Sequence, residues 1–151
     1  MMTLHDILSA QNTKKHSTAN GVKMHNYLRH IVINCGMQHG NVDLIEKIQA
    51  RPELLTFFVA DAKTEVPIAG TINGRFISRR IDRMIVDHHA KTIAILDYKT
   101  DINPEHYRAS YIAQLREYVQ LMRLLHPGYE VSAYLLWTHD FLLEKIPLNS
   151  L

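Results

Sequence analysis

With 151 residues, 46% of them apolar and 21% charged, the chain can bury one core and carries none of the compositional marks of a collagenous, disordered or disulfide-stapled protein. Its formal net charge of +2 is too small to define a partner, and its single cysteine, Cys35, excludes an internal disulfide and any multi-cysteine zinc or iron–sulfur site. No apolar run approaches the roughly 20 residues of a membrane span, and Met1–Ser9 lacks a secretion signal's charged start and apolar centre, so a reducing, cytoplasmic setting away from membranes is expected.

In chain order, residues 1–20 read as a polar, flexible lead-in and 21–151 as a single domain. Thr18 or Asn20 is placed to cap a helix that starts near Gly21. Met24, Leu28, Ile31 and Cys35 then recur at helical spacing, with Gly36 as a stop. A second helix is expected over Val42–Gln49, and a short third after Pro52. The pattern changes near Asp61. Strands are expected over Glu65–Ile72, Phe76–Val86 and Thr92–Lys99, joined at Asn73-Gly74 and Asp87–Ala90, which makes an antiparallel meander. Asn103-Pro104 opens a long helix that ends at His126 before Pro127-Gly128.

That helix carries two apolar stripes, Tyr107, Tyr111, Tyr118, Leu121, Leu125 (with Gln114 on the same line) and Ile112, Leu115, Val119, Met122. It is therefore expected to pack on two sides, against the sheet. Val131–Thr138 reads as a fourth strand reached by a crossover, and Phe141–Ile146 as a short fifth after His139-Asp140. The fold class is α/β (α+β): a mixed central sheet of four to five strands flanked by helices.

The chemistry concentrates where a strand ends in Asp97-Tyr98-Lys99-Thr100. Side chains alternate along a strand, so Asp97 and Lys99 project from one face. A hard divalent cation needs carboxylate oxygens, and phosphodiester hydrolysis needs positive charge near the attacking water and the phosphate. Taken alone, Asp-x-Lys is equally the pattern of a surface salt bridge. Asp82 adds a second carboxylate, which approaches Asp97 if the two strands form a hairpin; the alternative is that it pairs with Arg80 or Arg83. Arg75, Arg79, Arg80 and Arg83 crowd this strand, as phosphate contacts or as a solvated edge. Alternation puts Arg75, Arg79 and Arg83 on one face, and Arg80 on the other with Asp82.

Several of these pieces, in order, resemble the nuclease domain of the RecB and AddA helicase–nucleases within the PD-(D/E)XK superfamily. Gly21-Val22-Lys23-Met24-His25 resembles the Gly-x-x-x-His helix, and Glu65-Val66-Pro67-Ile68 the segment before the core. Gly74 to Arg83, ending Arg80-Ile81-Asp82-Arg83, resembles the Gly-x-Ile-Asp-Arg strand, and Asp97-Tyr98-Lys99-Thr100 the Asp-Tyr-Lys-Thr signature. Tyr111-x-x-Gln114-Leu115-x-x-Tyr118 resembles the Tyr-x-x-Gln-Leu-x-x-Tyr helix.

The resemblance implies a restriction-endonuclease-like core and Mg²⁺-dependent deoxyribonuclease activity, Mn²⁺ being an alternative. It implies an exonuclease of double-strand break repair and recombination, leaving 5′-phosphate ends, with DNA and a helicase motor domain or subunit as partners. His25, Asp82, Asp97 and the backbone carbonyl of Tyr98 would bind metal, and Lys99 would polarise water. Gln114 and Tyr118 would line the site; Glu65 could be structural. Arg80 and Arg83 are expected to contact DNA, Arg80 beside the scissile phosphate or paired with Asp82.

Some branches of the superfamily carry a cysteine-held iron–sulfur cluster; with Cys35 alone, this chain resembles the cluster-free branch. No phosphate-loop motif and no small-molecule cofactor signature is present, so the chain reads as an isolated C-terminal domain or a free-standing relative. The competing function is a catalytically silent DNA-binding or scaffold domain of the same fold, and an RNA-directed phosphohydrolase is a third.

Overall fold

The computed structural model describes residues 20–34 and 37–148. Thr18, Cys35, Gly36 and residues 1–19 of the expected lead-in lie outside them. Helix α1 covers 20–29, so Asn20 is already helical rather than its cap. The helix expected to run on to Cys35 stops at Arg29. The chain continues instead as strand β1 (Val32–Asn34), which pairs antiparallel with β2 (Met37–His39). Ile31 and Ile33 are both buried, the alternation of a strand, and β-branched Val32 and Ile33 favour it. Helices α2 (Val42–Gln49) and α3 (Pro52–Leu55) follow, α2 capped by the Asn41 side chain accepting from the Leu44 N–H.

The central sheet has five strands in the order β3 (Lys63–Ile72), β4 (Arg75–Asp87), β5 (Thr92–Lys99), β6 (Glu130–Trp137), β7 (Leu142–Lys145). β3, β4 and β5 form the expected antiparallel meander. Its first turn has positive φ at both Asn73 and Gly74, 50° and 76°, the conformation a two-residue hairpin needs. Pro67 is accommodated because β3 is an edge strand, where one ladder hydrogen bond is dispensable. β5 and β6 are parallel and connected through α4 (Pro104–Leu125), and β7 adds an antiparallel edge. This is the expected mixed sheet flanked by helices.

The sheet is covered on both faces, which is why β5 and β6 are apolar almost throughout. One face packs against α4 through Ile77, Ile81, Ile93, Ile95, Val131 and Leu135, which meet Ile112, Leu115, Val119 and Met122. The other, through Leu96, Tyr98 and Leu136, packs against Leu28 of α1, Ile45 and Ile48 of α2, and Phe57 and Phe58. Both apolar stripes of α4 face the sheet at mid-helix, but Tyr107 and Leu125 at its ends are 47% and 53% exposed. The buried residues of both stripes join one cluster with the sheet, while the two ends of the helix stand in solvent. Asn103 precedes it without making a side-chain cap bond.

Candidate active site

Asp82 and Asp97 face each other across neighbouring strands. The β4–β5 register pairs Arg83 with Leu96, and one further step sets Asp82 opposite Asp97. Both are buried, 9% and 4% exposed. They open with Lys99 onto a cavity of 430 Å³ also lined by His25, Asn26 and Arg29 of α1, Glu65 of β3, Arg80 of β4, and Gln114 and Tyr118 of α4.

Each carboxylate has a basic side chain beside it. Lys99 Nζ lies 2.7 Å from Asp97 Oδ2, as expected for two residues on one strand face. The approach is off the hydrogen-bonding direction, so this buried oxygen has no aligned donor. Burial pushes the Asp97 carboxyl up to about 6; Lys99 opposes the rise and Asp82 adds to it. Asp82 Oδ2 accepts from the Tyr98 backbone N–H at 2.8 Å and lies 3.2 Å from His25 Nε2.

The other histidine nitrogen, Nδ1, is 2.8 Å from the Gly21 carbonyl. A carbonyl only accepts, so Nδ1 carries the proton, and Nε2 of the neutral ring presents its lone pair towards Asp82. A proton or another cation must then lie between these two acceptors. Burial lowers the affinity of His25 for that proton, but hydrogen bonding and charge from Asp82 outweigh it, and the pKa is raised.

Lys99 is held from three sides. Besides Asp97, its ammonium lies 4.2 Å from the centre of the Tyr111 ring and 3.4 Å from Gln114 Oε1. Gln114 Nε2 in turn donates to the Tyr118 hydroxyl at 2.5 Å, and the Tyr111 hydroxyl donates to Asp101 at 2.7 Å. Burial pushes the Tyr118 phenol up to about 12, so it keeps its proton to donate. The end of β5 is pinned by Thr138, whose N–H and hydroxyl both donate to the Lys99 carbonyl, at 2.9 and 3.2 Å.

Thus His25, Asp82, Asp97, Lys99, Gln114, Tyr118 and Arg80 line one cavity, with the Tyr98 backbone beside Asp82. Arg80 pairs with Glu65 at 2.8 Å, not with Asp82.

Arg83 is a correction. It is 1% exposed and turned to the opposite layer, where no DNA can reach it. Its guanidinium donates to the Tyr98 hydroxyl and to the carbonyls of Phe57, Leu28, Ile31 and Arg29, and lies over the Phe58 ring at 4.2 Å. Arg75 and Arg79 instead meet Glu117 of α4. Strand alternation fails between these groups beside Glu65, whose φ of 54° interrupts the β3–β4 ladder between Thr64↔Arg83 and Val66↔Ile81.

Sequence reasoning left Asn26, Arg29 and the part played by Tyr111 unassigned. Val22, Asn26 and Arg29 lie at helical spacing around His25 and were discoverable from it. The position of Tyr111 under Lys99 depends on the crossover geometry.

The donor set suits a divalent cation in kind: an imidazole whose far nitrogen is fixed by a backbone carbonyl, two buried carboxylates, and one carboxylate oxygen without an aligned partner. The donors share the cavity but do not converge on one point. Among the described residues, no three His, Cys, Asp or Glu side chains are grouped closely enough to enclose an ion.

By sequence, no family model and no curated protein matches the chain. By structure, it is similar to a "putative exonuclease" from Eubacterium rectale, with a TM-score of 0.50 and 12% identity over 99% of this chain. The protein SSO0001 follows at a TM-score of 0.47 and 14% identity, over 92% of this chain. The chain spans 61% and 55% of those two proteins' lengths. At 12% identity the likeness to the E. rectale protein extends to the fold alone. No helix among the described residues is long and apolar enough to cross a membrane.

Proposed function

We propose that the chain is a metal-dependent DNA nuclease of the PD-(D/E)XK superfamily, akin to the nuclease domains of AddA and RecB. The observation that carries this reading is the pair Asp82 and Asp97, buried opposite one another with Lys99 in the same cavity. Burying two facing carboxylates is unfavourable unless a cation is shared between them. A silent scaffold has no use for that cost. The E. rectale neighbour of like fold carries the name of an exonuclease, which agrees with this reading.

His25, Asp82 and Asp97, with the Tyr98 carbonyl, would hold Mg²⁺ or Mn²⁺. When bound, the ion supplies positive charge to the attacking water and the scissile phosphate. The chain's own groups do the rest. Lys99, its side chain 16% exposed, donates to the water or to a phosphate oxygen as negative charge builds there. Tyr111 and Gln114 keep its ammonium aimed into the cavity, and Tyr118 fixes Gln114. Arg80 and Arg29 border the cavity with charge for the flanking phosphates. Water adds to phosphorus and gives up a proton to solvent as the P–O3′ bond breaks, leaving a 5′-phosphate and a 3′-oxygen that takes a proton from solvent to become the hydroxyl.

Exonuclease action in double-strand break repair, beside a helicase, belongs to the same proposal. The test is incubation of linear single- and double-stranded DNA with the protein, in Mg²⁺ and in EDTA. Cleavage in Mg²⁺ alone supports the reading. Intact DNA in Mg²⁺ and in Mn²⁺, with folded protein, sinks it in favour of a scaffold, and cleavage of RNA alone would redirect it.

A further inference from the structure

Helix α1 divides the surface near the cavity. Val22, His25, Asn26 and Arg29 face the cavity, whereas Lys23, Met24 and Tyr27 face a second hollow of 400 Å³ on the other side. That hollow is closed by Thr100, Thr138 and His139, at the ends of β5 and β6. His139 also lines a third hollow of 240 Å³, with Lys47 and Arg51 from the α2–α3 corner and Phe141. The two hollows meet at His139, which lines both, and together make up the groove. The groove borders the candidate catalytic strand, since Thr100 follows Lys99. α1 lies hard against that point: a Cβ at Gly21 would stand 3.2 Å from Thr100 Oγ1.

The groove is basic along its length. Lys23, Lys47 and Arg51 make no ion pair among the described residues. Among the described residues the one acid lining it is Asp140, which is already engaged: one of its oxygens accepts from the Leu142 N–H, and the other faces His139. An aromatic ring lies beside two of the cations, Tyr27 exposed and Phe141 buried in the core. Tyr27 is 42% exposed with Lys23 Nζ 5.9 Å from its ring centre, and Lys47 Nζ lies 5.4 Å from the Phe141 ring centre. Spaced cations follow a phosphate backbone, and an exposed ring offers a face for an unpaired base, which a duplex does not present.

We propose that this groove is a track for single-stranded DNA, holding the part of the strand beyond the phosphate that is cut. The proposal rests on the nuclease reading for its occupant and its direction. The strand would cross from the candidate active cavity over the α1–Thr100 contact, with its phosphates against Lys23, Lys47 and Arg51 and a base on Tyr27.

Two measurements on the whole chain separate this proposal from the nuclease reading. The first is binding of a labelled oligo(dT) of about 12 nucleotides, within the range of single-strand site sizes, followed by anisotropy in EDTA across a salt series. Replacing Lys23 and Lys47 together by Glu should weaken binding at least tenfold. It should also flatten the dependence of log Kd on log salt by about 1.4, from a slope near 0.7 per lost phosphate contact. Tyr27→Leu should weaken oligo(dT) binding while leaving the salt slope unchanged, and should affect duplex binding much less. The second measurement is metal-dependent hydrolysis of a thymidine dinucleotide, too short to reach the groove; both variants should match the wild type there.

Wild-type affinity and slope in the folded Lys23→Glu/Lys47→Glu variant would overturn the groove whether or not the protein cleaves. Equal losses on duplex and single strand in Tyr27→Leu would overturn the single-strand assignment. Groove-dependent binding by a protein that cleaves nothing would leave the groove standing and remove the nuclease reading.

Discussion

Replacing Arg83 by Met separates a structural arginine from a DNA-contacting one. The guanidinium now satisfies the buried carbonyls of Leu28, Ile31 and Phe57 and the Tyr98 hydroxyl, binding the end of α1, the loop after α3 and two strands into one unit. Met fills similar volume but donates nothing. Each buried acceptor left alone costs about 1–3 kcal/mol. Three buried carbonyls would thus cost roughly 3–9 kcal/mol, offset by several kcal/mol because a buried charge no longer has to be desolvated. A net loss of about 3–5 kcal/mol is expected, or roughly 10 °C in melting temperature for a domain of this size. Arg83→Lys keeps the charge but not the planar fork and should fall in between. Thermal melts followed by circular dichroism give the answer directly. An Arg83→Met protein that melts with the wild type, yet binds DNA with a shallower salt dependence, would refute the burial of this side chain and restore it as a DNA contact.

Other substitutions probe the remaining groups. Arg80→Ala should lower DNA cleavage more than Arg75→Ala, since Arg80 borders the cavity and Arg75 pairs with Glu117 of α4; equal steady-state rates would remove Arg80 from the substrate. His25→Ala should weaken manganese binding in calorimetric titration more than magnesium binding, because nitrogen donors suit manganese better; unchanged affinity would take His25 out of the metal site. Glu144 accepts from Arg108 and from Trp137 Nε1; burial raises its carboxyl pKa, but these donors outweigh it and the net shift is downward. A lowered folded pKa gives stability that is present above the unfolded value and lost as pH falls through the folded one. Glu144→Gln should therefore lower the melting temperature at pH 7, and the gap should close in acid; a gap independent of pH would contradict this.

Much of the fold is readable along the chain because it rests on local signals. Asn73-Gly74 dictates its hairpin, Pro104 and Pro127-Gly128 bracket α4, and the apolar stretch Ile93–Leu96 marks a strand covered on both faces. The facing of Asp82 and Asp97 follows from the hairpin register, and the shared face of Asp97 and Lys99 from strand alternation alone. Features that depend on long-range packing were not readable. The end of α1 is set by Arg83, 54 residues on from Arg29, whose guanidinium accepts the role of donor to its last carbonyls. The spacing of Met24, Leu28, Ile31 and Cys35 imitates a longer helix and conceals β1. The face taken by Arg83 departs from simple alternation along β4, at a point beside the left-handed backbone of Glu65 on the neighbouring strand.

The most direct test of the central claim is cleavage of linear DNA in Mg²⁺ by Asp97→Ala and Lys99→Ala, with thermal melts on the same samples. Removing one of two facing buried carboxylates relieves their repulsion, and Lys99 reaches solvent at the cavity, so neither change should unfold the protein. Each variant should melt within a few degrees of the wild type and lose cleavage by roughly 10²–10³-fold or more, the loss seen when a transition-state donor is removed. Retained cleavage in either folded variant, or loss of activity only through unfolding, would contradict an active centre built on Asp82, Asp97 and Lys99.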